Sequence, residues 1–355
     1  MTNFYTNLNL IKGRMFYTKS NFSTFRYSIL LLLGLVVFSC QENNSEVNTS
    51  SIQLDLKVKR FEQQLFSYNN ITDVEIAQLK NDYGIFFTHF VENIITISEI
   101  NDPSVYYYLN AFKNDSYVNE VQKKVDEIYK DFSPYQNQLT ESFKLYKHYF
   151  PSKQVPEIIT YTSGFNYAIA TDSAYLGIGL DMFLGADYKP YVQLGLPQYK
   201  VANMTKNHLV TSAIMAWVAT EFELTESNSN LLSEMVHQGK LLYVLDKLTP
   251  FEKEHLKIGY TEEQLAWCFD NEKQIWFYLV DNELFYTKET QEIIKYMGES
   301  PFVQGFPEGS PGKVGQWVGW QVVKKFMENN PKLTLQELMN ENDAQKILNQ
   351  SKYKP

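Results

Sequence analysis

Of the side chains able to hold a metal, activate a nucleophile or take a covalent group, only the thiol of Cys40 stands in a context that prescribes a reaction. It closes the apolar run Ile29–Phe38, and Val37-Phe38-Ser39-Cys40 has the form of a lipobox: a branched apolar residue, a small residue just before the cleavage point, then cysteine. Such a box directs diacylglycerol onto the sulfur through a thioether, cleavage ahead of the cysteine, and a further acyl chain on the new amine. Two or more chains anchor stably, because each buried methylene contributes about 0.8 kcal/mol. The run itself is too short for a permanent membrane helix and has the length of a secretory h-region. Lys12, Arg14, Lys19 and Arg26 supply the positive flank, and Met15 is an alternative start. The competing reading is a plain signal peptide or anchor with a chance cysteine. The position of Cys40 at the end of the run favours the lipobox.

The remaining candidates do not assemble into a site. His89, His148, His208, His237 and His255 are scattered with no His-x-x-x-His pair. Glu234 and His237 have the spacing used by di-iron bundles, but the second such pair that the metal requires is missing, so His237 is expected on a helix surface. There is no Gly-x-Ser-x-Gly elbow, and Ser310 reads as a helix N-cap. Gly239-Lys240-Leu241 and Gly312-Lys313-Val314 both lack the first glycine and the hydroxyl of a P-loop. Lys313 falls in the first turn of a helix, where the macrodipole disfavours a cation; that small cost is compatible with a contact for a partner or an anion, but an ordinary solvated lysine is the favoured reading. Asp181 has no matched acid or histidine nearby in sequence and reads as a turn or cap residue. Cys268, in Leu265-Ala266-Trp267-Cys268-Phe269, reads as a buried apolar residue. With Cys40 acylated it has no disulfide partner.

The elements that position these residues divide as follows. Residues 1–39 form a signal peptide, 40–51 a polar tether that reaches on the order of 20 Å, and 52–355 a single globular domain. Ile52, Leu54, Leu56 and Val58 alternate with polar residues and predict a half-buried strand. Capping signals at Thr72, Ser133, Thr249, Thr261 and Thr334 make the chain mostly helical. The exception is the middle, where 155–163 and 173–180 are rich in strand formers; they are expected to pair as neighbouring antiparallel strands. Three helices follow: 210–219, apolar nearly all round and so central; Leu231 to Leu245 after the polar cluster Ser227–Asn230, with Gly239 facing in; and Pro311 to Glu328. Gly315 and Gly319 lie four apart on the last and should admit a close neighbour. The fold class is mainly α with a small antiparallel β-sheet (α+β).

The chain carries 32 Lys+Arg against 41 Asp+Glu, and losing the four bases before Cys40 takes the formal charge from −9 to −13. So acidic a body argues against nucleic acid and against electrostatic binding to anionic lipid. Its 25 Tyr and 24 Phe suggest an aromatic-rich core with Tyr at the margins.

Several stretches together resemble the gliding motility lipoprotein GldB family of the Bacteroidetes. They are the lipobox at Cys40, Arg60-Phe61, the run 176–185 (Leu-Gly-Ile-Gly-Leu-Asp-Met-Phe-Leu-Gly), the run 235–243 around Gln238-Gly239-Lys240, and 310–320 from Ser310 to Trp320. The resemblance implies a cell-envelope lipoprotein needed for gliding, linked to the type IX secretion machinery and working with other envelope proteins of that apparatus. It implies no enzyme and no cofactor besides the covalent lipid, and only Cys40 carries a chemical role over. A single acid follows the cysteine, in Gln41-Glu42-Asn43-Asn44, which points to a periplasm-facing protein. Lys313, Asp181 and Gln238 are the candidate contacts for a partner; no catalytic or metal-binding residue is expected.

At fold level, the order strand pair, buried helix, second helix also resembles zinc-dependent peptidases. In that alignment Ala213, Ile214 and Trp217 take the places of first ligand, general base and second ligand, and Gln238 that of the third. Alanine, isoleucine and tryptophan offer zinc no lone pair, so a degenerate zincin-like fold would have lost hydrolysis. The alternative functions are a degenerate or unrecognised envelope hydrolase and a solute-binding lipoprotein.

Overall fold

In the computed structural model, which describes residues 47–224, 230–307 and 309–355, three short strands run parallel through the middle of a helical body. They are β1 (Val58–Arg60), β2 (Glu157–Tyr161) and β4 (Tyr175–Gly179), with β3 (Ile169–Thr171) antiparallel at the far edge, in the order β1-β2-β4-β3. Arg60 pairs with Thr160, which pairs with Ile178, so the three parallel strands end together. Residues Asn48–Pro355 form one compact unit. The signal peptide, Cys40 and most of the polar cluster 227–230 fall outside the described residues.

The mainly helical body with a small sheet is as expected, but the sheet is mixed rather than antiparallel. The two strand-forming stretches are neighbours that run parallel. Ile158, Ile159, Leu176 and Ile178 are all fully buried. Strands covered on both faces read as continuous apolar runs, the mark of a parallel pair, not as the alternation of a half-exposed hairpin. The hairpin at Asp172 does form, through the mutual Asp172–Tyr175 backbone bonds, yet its other arm is the three-residue β3.

The predicted first strand shrinks to Val58–Arg60. Burial does alternate from Ser51 to Leu56. That stretch runs beside a helix instead of pairing, with Gln136 Nε2 donating to Leu56 O at 3.0 Å and Thr49 Oγ1 to Glu141 at 3.2 Å.

The longer helices are α1 (Phe61–Ser67), α2 (Asp73–Tyr83), α3 (Val105–Asn114), α4 (Ser116–Ile128), α5 (Ser133–Tyr149), α6 (Leu209–Glu221), α7 (Leu231–Leu248), α8 (Glu262–Asp270), α9 (Glu272–Asp281), α10 (Thr290–Met297), α11 (Val314–Asn329), α12 (Leu335–Asn340) and α13 (Ala344–Ser351). Capping boxes at Thr72, Thr261 and Thr334 form as predicted. Two others do not. Ser133 is already helical, with Phe132 as N-cap, and its amide donates to Asp131 at 2.9 Å instead of to Gln136. Thr249 ends α7 instead of starting a helix, its hydroxyl donating to Leu245 O at 2.7 Å.

The core joins two packings. Around α1 and α2 it is aromatic: Phe61, Phe86, Phe87 and Phe90 are fully buried, with Phe61 and Phe90 edge to face at 4.6 Å between centroids. Tyr129, Tyr146, Tyr161 and Tyr191 are fully buried as well, not marginal, and each hydroxyl donates inside the fold. In the C-terminal half α7 crosses α11 backbone to backbone. A Cβ on Gly239 would stand 2.7 Å from Trp320 N, and one on Gly319 would collide with the Met235 carbonyl. The two glycines meet at the crossing, as the spacing of Gly315 and Gly319 foreshadowed. α11 starts at Val314 and not at Pro311, since Lys313 is left-handed at φ +58° and acts as its N-cap. Among the described residues no helix is long and apolar enough to cross a membrane.

Candidate functional site

The parallel strands deliver their carboxyl ends to one edge of the sheet, where loops and helix starts collect polar side chains. Glu62, Gln122, Thr160, Thr162, Ser163 and Asp181 are all buried there. At the end of β1, Arg60 donates to Glu62 at 2.6 Å and to Tyr129 O at 3.1 Å, with its guanidinium 5.1 Å from the Phe132 ring centroid. Thr160 donates to the second Glu62 oxygen at 2.7 Å. Burial raises the Glu62 carboxyl above its ordinary range, and the Arg60 charge opposes that. Thr162 donates to Gln122 at 2.8 Å, and Gln122 to Asp126 at 2.9 Å.

Asp181 follows β4 within the 3-10 turn Leu180–Phe183 and is fully buried. One carboxylate oxygen, Oδ2, accepts from Phe165 N at 2.7 Å, Ser163 N at 3.1 Å and Ser163 Oγ at 3.3 Å. The other, Oδ1, is buried with no hydrogen-bond partner. Burial pushes the carboxyl up to about 6, against the pull of the Phe165 and Ser163 amides. Asp181 thus anchors the turn that follows β2, in which Gly164 and Phe165 are both left-handed. Tyr191 closes the floor, donating to Asp181 O at 2.6 Å and accepting from Leu184 N at 2.9 Å.

Lys313 lies apart from this edge. Its ammonium donates to Ile258 O at 2.6 Å, sits 3.7 Å from Glu299 and packs 5.8 Å from the Tyr260 ring centroid. It therefore caps the C-terminus of the short helix Glu254–Ile258. Burial lowers its pKa, and Glu299 partly restores it. Gln238 is half-buried on α7. Cys268 is fully buried, and burial raises its thiol to about 12.

A cleft of about 380 Å³ opens between the end of α6, the first half of α7 and the α12–α13 connection. Thr220, Glu221, Ser233, His237, Lys240 and Glu341 are among its lining residues. His237 is buried rather than on a helix surface, and burial lowers it to about 4, so it is neutral at physiological pH. Lys240 Nζ donates to Glu341 O at 2.9 Å and Met339 O at 3.3 Å. Glu221 pairs with Lys153 at 2.7 Å. Ala213, Ile214 and Trp217 of α6 are packed in the core. Among the described residues no three His, Cys, Asp or Glu side chains are grouped to hold a metal.

Sequence reasoning singled out Asp181 but missed Ser163, Phe165, Tyr129 and Tyr191, which complete its surroundings. The Ser163-Gly164 dipeptide is a turn signal that could have pointed to the first two. Nothing local announces the tyrosines.

The family model described as gliding motility protein GldB matches residues 42–355. No curated protein and no solved structure matches the chain. That match takes in every stretch on which the resemblance rests except the lipobox, and it runs through both the strand-end cluster and the α7–α11 crossing. The chain belongs to the gliding motility protein GldB family, a family of gliding-motility lipoproteins.

Proposed function

We propose that this chain acts without catalysis in gliding motility, as an accessory of the gliding and type IX secretion machinery. It is held to its membrane by acyl chains on Cys40, faces the periplasm, and works through contacts with other envelope proteins. The observation that carries this reading is the family match across residues 42–355. The lipobox ending at Cys40 supports the anchor. Support for contacts comes from the interior: the polar groups of the strand-end cluster and Lys313 bond mainly to one another and to backbone carbonyls, as structural residues do. Purifying the tagged mature protein from its own envelope, with partners identified by mass spectrometry, tests the reading. Co-purification of gliding or secretion proteins is expected; their absence from a preparation that retains the intact lipidated chain would contradict it.

The cleft with neutral His237 favours a second reading, a solute-binding lipoprotein or an envelope hydrolase descended from zinc peptidases. Zinc near one per chain, with a peptidase activity lost on chelation, would decide for the hydrolase.

A further inference from the structure

We propose that the Asp181 carboxylate and the tyrosines around it form a closed site for an organic cation, the ammonium or guanidinium of a Lys or Arg side chain on a partner protein, with the turn 163–167 as its lid. This rests on the reading that the chain works through protein contacts.

Asp181 is fully buried and its Oδ1 has no hydrogen-bond partner, while every donor to Oδ2 comes from the turn itself. Tyr129, Tyr161, Tyr188 and Tyr191 are near enough for the Asp181 charge to act on their phenols, and Tyr191 donates to the Asp181 carbonyl at 2.6 Å. Burial raises all four phenols, which are neutral at physiological pH, and among the described residues no Lys, Arg or His forms an ion pair with Asp181. Arg60 is committed to Glu62 and the Tyr129 carbonyl. A buried carboxylate without a counter-charge is costly, and a cation seated beside it would relieve that cost. Aromatic rings around an acid are the surroundings that recognise ammonium and guanidinium groups.

The lid is strained in a way that suits opening. Gly164 and Phe165 hold φ of +72° and +70°, and for a bulky residue such as phenylalanine that region is populated only when the surroundings enforce it. Phe165 covers Tyr191 edge to face at 5.4 Å between centroids and touches Tyr188 and Tyr117 at 6.2 and 6.0 Å. Tyr117 and Tyr167 beside it are exposed, giving an incoming side chain an aromatic rim. The net charge of the chain, −9, favours a basic partner.

The test uses the mature chain, titrated at pH 7.5 with N-acetyl-arginine amide and, as the uncharged isostere, N-acetyl-citrulline amide. Calorimetry reads binding, and hydrogen exchange reads the turn. A dissociation constant on the order of 1 mM is expected for arginine, the scale of a single side-chain contact, with citrulline at least ~10-fold weaker. Asp181→Asn should lose that discrimination. Phe165→Gly, which is at ease in the left-handed region, removes the strain that favours opening and should bind arginine ~10-fold more weakly. Should Asp181→Asn fail to fold, Phe165→Gly and the citrulline comparison still decide. Equal binding of arginine and citrulline, or unchanged binding by Phe165→Gly, overturns the site. Neither outcome depends on motility, so the contact reading and the cation site fail separately.

Discussion

Replacing Gly319 by Ala adds one methyl group at the point where α11 crosses α7. In an exposed helix interior the change would stabilise by about 1 kcal/mol, because alanine is the better helix former. Here the new Cβ would run into the Met235 carbonyl, and carbonyl carbon and Cα lie close behind. Backbone cannot turn aside as a side chain can, so the helices must separate by about 1 Å or more to restore van der Waals contact. Overpacking of this kind costs typically 1–3 kcal/mol, and a shift between two central helices belongs at the upper end, for a net loss of about 2–3 kcal/mol. Gly239→Ala faces Gly319 and Trp320 N across the same crossing and should cost a similar amount. Gly315→Ala meets chiefly the flexible end of Met297, with Sδ at 2.7 Å, and should cost least. Urea unfolding of the non-lipidated mature chain measures the series. Gly319→Ala as stable as wild type, or less damaging than Gly315→Ala, would refute the close crossing.

Replacing Cys40 by Ala should leave an uncleaved precursor that takes up no labelled palmitate; a variant that matures and stays in the membrane fraction like wild type would show the lipobox reading to be wrong. Asp181 titrates near 6 in the fold against 3.8 for the free side chain, so the native state binds the proton more tightly. Its contribution to stability is greatest below pH 3.8, is lost as pH rises to 6, and is constant above; the total is about 3 kcal/mol at 1.36 kcal/mol per unit. Asp181→Asn removes this dependence, so its stability relative to wild type should improve by about 2 kcal/mol between pH 4.5 and pH 7.5, and a difference constant across that range would show that Asp181 is not the titrating group.

What the sequence makes legible is local. The boxes at Thr72, Thr261 and Thr334 need only residues three apart, and nothing distant competes for them. Those at Ser133 and Thr249 fail because Asp131 takes the Ser133 amide and Thr249 finds the helix before it. Gly315 and Gly319 announce a close neighbour by spacing alone; that Gly239 and Met235 supply it is tertiary. The parallel pairing of β2 with β4 was hidden because β3, only three residues long, takes the hairpin. Alternation from Ile52 to Leu56 reports burial, which a segment lying on a helix shows as readily as a strand. At the candidate site the carboxylate was visible, but its partners come from residues 16 to 18 positions away, and Tyr129, which reaches Phe183, stands 54 positions from it. The burial of His237 depends in turn on the α6 and α12 ends that flank α7.

The central claim is that this chain serves movement over surfaces, and the most direct measurement is the gliding of single cells on glass in a strain from which only this chain is deleted. The account predicts cells that attach but do not move, with motion restored by the wild-type chain and not by Cys40→Ala. Deleted cells that glide at the speed of the parent would contradict it.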